Sequence, residues 1–193
     1  MDYPEYVKID DKLYKINTDF RVAIKCNEIA QDDSINDFER ALGIIYTLFG
    51  DDGIDTPKHY EKLLEKAKKY LSCGVDNIKD NNEEVDMDFV QDMDYIEASF
   101  MSDYHIDLSN TKMHWWKFYN LINGLSNSEL GNCCVLNRIR NLRNYDIKQI
   151  KDPKEKKKIM EAKKQVALKK DKKKATEKEL ESATDFLKHL GII

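Results

Sequence analysis

This chain of 193 residues contains few of the residues that build compact reactive sites: seven glycines, three prolines, four cysteines and four histidines. It has no glycine-rich phosphate loop. The histidines, His59, His105, His114 and His189, are scattered singly, and the chain has no Cys-x-x-Cys motif. The sequence therefore predicts a protein that is not an enzyme and that uses no metal or cofactor.

Long apolar runs are also absent. No segment approaches the roughly eighteen apolar residues of a transmembrane helix, and the acidic first five residues lack the basic and apolar regions of a signal peptide. Cys26, Cys73, Cys133 and Cys134 do not have the spacing of a disulfide framework, and the last two are adjacent, where a bridge is strained. These features predict a cytosolic protein that does not contact a membrane.

Charge is distributed unevenly along the chain. Residues 1–150 contain 18 Lys and Arg against 28 Asp and Glu, a net charge of -10, whereas residues 151–193 contain 14 against 8, a net charge of +6. This asymmetry is typical of an acidic body that carries a basic tail. We therefore predict a helical body with an N-terminal hairpin at 1–150, and a lysine-rich arm with a short amphipathic C-terminal helix at 151–193.

The body shows two kinds of periodicity. Alternating apolar and polar residues predict strands at 6–9 and 13–16, joined by a polar turn into a hairpin. Apolar residues at steps of three and four predict six helices. These helices are expected within 18–29, 34–49, 56–71, 89–104, 111–123 and 126–142. The predicted fold class is mainly α: a compact multi-helix body with a small N-terminal β-hairpin and a basic helical C-terminal arm.

The apolar stripes of these helices also predict a core. The segment 111–123 is apolar on almost every side, so we expect it at the centre of the body. The stripes are complete by Leu142, so the body is expected to fold without residues from about Lys151 onward. The residues predicted in the core are Phe38, Leu42, Leu63, Ile96, Phe100, Trp115, Phe118 and Ile122.

Two helical segments are predicted in the arm. Asp152-Pro153 can begin a long solvated helix, whose apolar stripe is thin. Thr176 and Glu179 have the spacing of a capping box and precede an apolar face that ends at Gly191. This last helix is short and amphipathic, as is typical of segments that enter a partner's groove.

The segment 94–118 is the most aromatic part of the chain, with six aromatic residues and two histidines. It contains an Asp-Tyr-Ile start, an Ala-Ser-Phe step, a Tyr-x-Ile-Asp-Leu loop and a His-Trp-Trp-Lys-Phe helix. These features, with a looser match through the Ile139-Arg140 step, resemble a small tail-gene family of siphophages and prophages of Gram-positive bacteria. Members of that family are regarded as tail assembly chaperones.

The resemblance implies partners and a location. The protein would bind the tape measure protein in the host cytoplasm until subunits of the major tail tube protein replace it, and it would associate with itself. A helix laid in a groove is recognised through apolar anchors, and such anchors are available in the terminal helix and on the two tryptophans. The candidate partner-binding residues are Trp115, Trp116, Arg140, Leu180, Phe186, Leu187 and Leu190.

Two other functions remain open from the sequence. The lysines of the arm could neutralise nucleic-acid phosphates, but five acidic residues are interleaved with them between Lys151 and Lys178, and no aromatic residue is available there for base stacking. A solvated or protein-binding arm is therefore favoured over nucleic acid. The second alternative is a structural tail or head component that stays in the virion.

Overall fold

A computed structural model of the protein describes residues 3–75, 85–127 and 133–169. The described chain divides into two compact units. Unit 1 contains residues 3–75 and 113–118, and unit 2 contains residues 85–112, 119–127 and 133–169. The chain leaves unit 1 after its first segment, returns to it at 113–118 and leaves it again, whereas the predicted boundary between body and arm at residue 150 stays a prediction.

The N-terminal hairpin of unit 1 is present as predicted. Strand β1 (Tyr6–Ile9) pairs antiparallel with β2 (Lys12–Lys15), and the register places Val7 opposite Tyr14. Alternation gives the hairpin two different faces, since Ile9 and Tyr14 are buried whereas Tyr6 and Leu13 are exposed. The second strand begins one residue earlier than predicted, because the turn needs only Asp10 and Asp11, with Asp10 at a φ of 51°.

Four α-helices follow the hairpin in unit 1. Helix α1 is capped by Asp19, and α2 is capped by Asn36. The Asn36 side chain accepts the N–H groups of residues 38 and 39 while the Glu39 carboxylate accepts the N–H of Asn36, so the cap is a reciprocal box. The helices are α1 (Phe20–Gln31), α2 (Asp37–Phe49), α3 (Asp51–Ile54) and α4 (Tyr60–Leu71), with a 3₁₀ turn at Pro57–His59 before α4.

The core of unit 1 forms where the segment 113–118 returns to the start of α1. The backbone N–H of Trp115 donates to the carbonyl of Thr18, and the N–H of Phe20 donates to the carbonyl of Met113. These two bonds place the Phe20 and Phe118 rings in a stack with centroids 4.4 Å apart. Both rings are inaccessible to solvent or nearly so, at 2% and 0% exposure.

Unit 2 contains the remaining helices. Its α5 (Met93–Tyr104) and α7 (Val135–Asn144) are joined through Ser99, whose hydroxyl accepts the N–H of Leu136 at 3.0 Å and donates to the carbonyl of Tyr95 at 2.7 Å. The other helices are α6 (Trp115–Asn123), whose residues from 119 onward belong to unit 2, and α8 (Pro153–Gln165), which follows a 3₁₀ turn at Ile147–Gln149. In the described parts of the chain, no helix is both long and apolar enough to cross a lipid bilayer.

The predicted fold class, mainly α with a small N-terminal hairpin, is confirmed. Six of the eight residues predicted in the core are buried, whereas Phe38 and Leu42 are half-buried. Helix α6 begins at Trp115 instead of near Thr111, because Met113 and His114 are held in extended pairing with the start of α1.

The first helix of the predicted arm is present, and it is not merely solvated. Asp152 caps α8 by accepting the N–H of Lys154 at 2.9 Å, and Pro153 occupies the first helical position. One side of α8 is half-buried within unit 2. The amphipathic helix predicted between Thr176 and Gly191 lies outside the described residues.

Candidate functional site

The two tryptophans of the His-Trp-Trp motif donate hydrogen bonds to carbonyls at the C-terminal end of α4. The indole N–H of Trp115 donates to the carbonyl of Leu71 at 3.0 Å, and that of Trp116 donates to the carbonyl of Tyr70 at 2.8 Å. The last four carbonyls of a helix lack partners within it. The Trp115 indole satisfies the Leu71 carbonyl, and the Trp116 indole adds a second partner to the Tyr70 carbonyl, which also accepts the backbone N–H of Cys73 at 3.0 Å. The motif therefore has an intramolecular structural role.

Trp116 belongs to an aromatic cluster that we define as Tyr3, Tyr70, His114 and Trp116. Tyr3 stacks on the His114 ring at 4.9 Å between centroids, and Tyr70 stacks on Trp116 at 6.2 Å. His114 Nδ1 accepts the backbone N–H of Trp116 at 3.0 Å, so its Nε2 carries the proton and donates to the carbonyl of Pro4 at 3.1 Å. The aromatic cluster thus anchors the N-terminal segment.

The candidate partner-binding tryptophans differ in accessibility. Trp115 is 1% exposed and stacks on Phe118 with ring centroids 5.8 Å apart, so it presents no surface to a partner in this structure. Trp116 is half-buried and keeps part of its ring accessible. Of the two tryptophans, Trp116 is the accessible one in this structure, and the partner-binding role of both stays a prediction.

Replacing Trp116 by Phe removes the indole N–H while keeping an aromatic ring over Tyr70. We expect the free energy of unfolding to fall by about 1 kcal/mol, because the Tyr70 carbonyl loses one of its two partners and keeps only the Cys73 N–H. Urea unfolding followed by circular dichroism measures this change. An unchanged midpoint would mean that the Cys73 N–H is a sufficient partner for the carbonyl, and the structural role of the motif would then rest on Trp115 alone.

Arg140, the third candidate, is held within unit 2. Its Nε donates to the Asp86 carboxylate at 3.1 Å, and its side chain remains 32% exposed. One helical turn further along α7, Arg143 makes a bidentate pair with Asp92, with both N···O distances at 2.7 Å. The Asp92 side chain is 1% exposed and that of Arg143 is 10% exposed. Asp92 raises the pKa of Arg143 by hydrogen bonding to it.

The same arginine also ties α8 to unit 2. Arg143 Nε donates to the carbonyl of Val166 at 2.6 Å, and Lys163 Nζ donates to the carbonyl of Tyr145 at 2.7 Å. Beyond the helix, Gln91 exchanges two hydrogen bonds with the backbone of Lys169, at 2.9 and 2.8 Å. These contacts determine which side of α8 faces the rest of unit 2 and which side faces solvent.

The solvent side of α8 carries four exposed lysines, which we call the lysine face: Lys154, Lys157, Lys158 and Lys164. At 3.6 residues per turn they fall within an arc of about 120°. Within the described residues, none of the four takes part in an ion pair. The composition of the arm predicted a basic segment, but only the docking of α8 shows which of its lysines face solvent.

Sequence analysis missed a polar network beneath the hairpin. The Tyr14 hydroxyl lies 2.6 Å from His59 Nδ1, and His59 Nε2 lies 3.2 Å from the Asp10 carboxylate. Tyr14 is 0% and His59 4% exposed, so a substrate cannot reach the hydroxyl. The network therefore joins β2 to the turn before α4. No sequence signal could have paired Tyr14 with His59, which is 45 positions away.

The cysteines behave as packing residues. Burial raises the pKa of Cys26 and of Cys73 to about 12, and it also raises the pKa of Cys133. Their reactive thiolate forms are therefore scarce at neutral pH. The Cys134 sulfur accepts the N–H of Asn137 at 3.4 Å and so caps α7. In the described ranges, no group of three His, Cys, Asp or Glu side chains is placed to hold a metal ion.

The remaining candidates, Leu180, Phe186, Leu187 and Leu190, lie outside the described residues. The described part defines a mainly helical protein with a two-stranded hairpin and a surface helix that exposes a row of lysines.

The chain belongs to a bacteriophage protein family, described as Bacteriophage Gp15 protein, whose family model matches residues 2–168. No curated protein and no solved structure matches the chain. The predicted phage relationship is thereby confirmed, and the narrower assignment to tail assembly chaperones stays a prediction. The match covers every described residue except Lys169, and it therefore includes the whole of α8.

Proposed function

We propose that this protein is a non-enzymatic siphophage tail assembly chaperone that binds the tape measure protein in the host cytoplasm. It releases that protein when the major tail tube protein polymerises around it, and it acts in several copies. The observation that carries the proposal is membership of a bacteriophage protein family across residues 2–168. The resemblance of segment 94–118 to tail assembly chaperones supplies the specific role.

The arrangement of the described residues is compatible with this role. The tryptophan motif makes hydrogen bonds within unit 1, and the Asp92–Arg143 pair makes them within unit 2. The solvent side of α8 presents exposed lysines that take no part in these contacts. Partners can associate with and leave such a surface more readily than a large apolar one, because exposed charges contribute little to affinity and much to association rate.

Co-expression with fragments of the tape measure protein encoded by the same phage tests the proposal. We expect more of the fragment in the soluble fraction when this protein is present, together with co-purification of the two chains. An unrelated soluble helical protein of similar size and net charge serves as the control.

Purified particles provide the second measurement. Mass spectrometry should find the protein absent or far below the amount of the tube subunit, because a chaperone leaves before the virion is complete. If fragments gain no solubility and the protein is present in stoichiometric amounts in particles, the alternative role as a structural tail or head component replaces the chaperone role.

A further inference from the structure

The lysine face of α8 is not required by the packing of unit 2. The inner side of the helix contains the half-buried Ile159, Ala162 and Val166, and the contacts that hold α8 use Arg143 and Lys163. Lys163 thus has a structural role that the four lysines of the lysine face do not share. The free energy that docks α8 comes from its other side.

The lysine face keeps an excess of positive charge in the isolated protein, with four lysines and one glutamate, Glu161, on this side of α8. Lys154 lies three residues from Lys157 and four from Lys158, spacings at which like charges repel, and Glu161 is too far along the helix to offset the charge of Lys154. The helix nevertheless stays in place through contacts on its opposite side. A partner that supplies negative charge would remove this repulsion, which is the charge complementarity that steers association.

Two residues near the lysine face indicate which kind of negatively charged partner fits it. Glu161 lies on the same side as Lys157 and Lys164, where it would repel a continuous row of phosphates. Met160, at the edge of the face, is 40% exposed and offers an apolar contact. A protein helix can place carboxylates opposite the lysines and an apolar side chain opposite Met160, whereas a nucleic-acid backbone presents phosphates at every step.

From these observations we infer that the lysine face of α8 binds an acidic α-helical segment of a partner protein, side by side along about 15 Å of helix. The inference rests on the proposed function to the extent that such a segment belongs to the tape measure protein. It goes further by naming the binding surface, the chemistry of the partner and the geometry of the contact.

The experiment is fluorescence anisotropy with the full chain and labelled peptides. The probe is an alanine-based helical peptide with glutamates at steps of three and four and one leucine between them. A second peptide of the same composition has its glutamates distributed around the helix. We expect the first to bind more tightly, with an affinity that falls as salt is added.

The test variant is K154E/K157E/K158E, and the matched control is K8E/K15E/K68E, which reverses three exposed lysines of unit 1. We expect the test variant to bind the first peptide about ten-fold more weakly, which corresponds to about 1.4 kcal/mol, and the control to change binding less than about two-fold. Circular dichroism of both variants should match that of the original protein, since the reversed lysines make none of the contacts that dock α8.

Three results would overturn the inference. An equal loss of peptide affinity in both triple variants would mean that only the net charge of the protein matters. Equal affinity for the two peptides would mean that the arrangement of glutamates on the helix does not matter. Tighter binding of a DNA duplex of equal charge, lost in the α8 variant, would make nucleic acid the occupant. This assay contains no tape measure protein, so its outcome is separate from that of the co-expression test.

Discussion

Replacing Asp92 by Ala should lower the free energy of unfolding by about 3–5 kcal/mol, because it leaves the Arg143 guanidinium in a nearly closed environment without its charge partner. Asp92 makes two hydrogen bonds of 2.7 Å to Arg143, and it also accepts the backbone N–H of Asp88 at 3.0 Å. Three bonds at a 1% exposed carboxylate are therefore lost together. Urea unfolding followed by far-ultraviolet circular dichroism measures the change.

An exposed ion pair provides the control for this prediction. Lys25 and Glu28 lie 2.8 Å apart on α1, with side chains 63% and 37% exposed. Replacing Glu28 by Ala changes the net charge as Asp92→Ala does, but it should cost less than about 0.5 kcal/mol because solvent screens the pair. Similar losses from the two substitutions would contradict the assignment of a special role to burial.

The double variant Asp92→Leu with Arg143→Met separates the cost of losing the ion pair from the cost of leaving a buried charge unpaired. Removing both partners should cost less than removing Asp92 alone, because no unpaired charge remains inside unit 2. The double variant also loses the bond from Arg143 to the Val166 carbonyl, so α8 should loosen. Faster hydrogen exchange in α8, with slow exchange kept in α5, would report this loosening.

Replacing Phe118 by Ala should lower the free energy of unfolding by about 3–5 kcal/mol, because it empties a closed site in the core of unit 1. The ring is 0% exposed and lies between Phe20 and Trp115, with centroid distances of 4.4 and 5.8 Å. Neither neighbour can fill the space easily, since each is held by backbone or indole hydrogen bonds. Chemical unfolding monitored by tryptophan fluorescence gives the measurement.

Tyr46→Ala is the control for the core prediction. Tyr46 is an aromatic residue of the same unit, but its side chain is 56% exposed, so its removal deletes little buried area. We expect a change of less than about 1 kcal/mol, since exposed substitutions seldom have larger effects. A loss at Phe118 no greater than the loss at Tyr46 would show that the stacked rings are not part of a closed core.

The two candidate tryptophans differ in accessibility for a physical reason. Aromatic density marks both cores and binding surfaces, so the sequence could not separate Trp115 from Trp116. The separation depends on a difference of one position along α6, which turns one indole inward and leaves the other at the surface. Arg140 is similar, since its pairing with Asp86 spans 54 positions and has no local signature.

The sequence by itself determined the features that depend on neighbouring residues. Strand alternation predicted the hairpin, apolar periodicity predicted the helices, and Asp152-Pro153 marked the start of α8. Gly50 ends α2 with a φ of 64°, a backbone conformation that favours glycine. Such features follow from backbone sterics, capping and side-chain spacing, which act over a few residues and are therefore legible in the chain itself.

Only the tertiary structure decided how distant parts of the chain combine. Arg143 binds the Val166 carbonyl and Gln91 binds the Lys169 carbonyl, and these contacts hold α8 within unit 2. Asp92 and Arg143 are 51 positions apart, and nothing in their local sequence marks them as partners. Pairings of this kind depend on the path of the whole chain, because long loops close at little additional entropic cost and packing alone selects among the many possible partners.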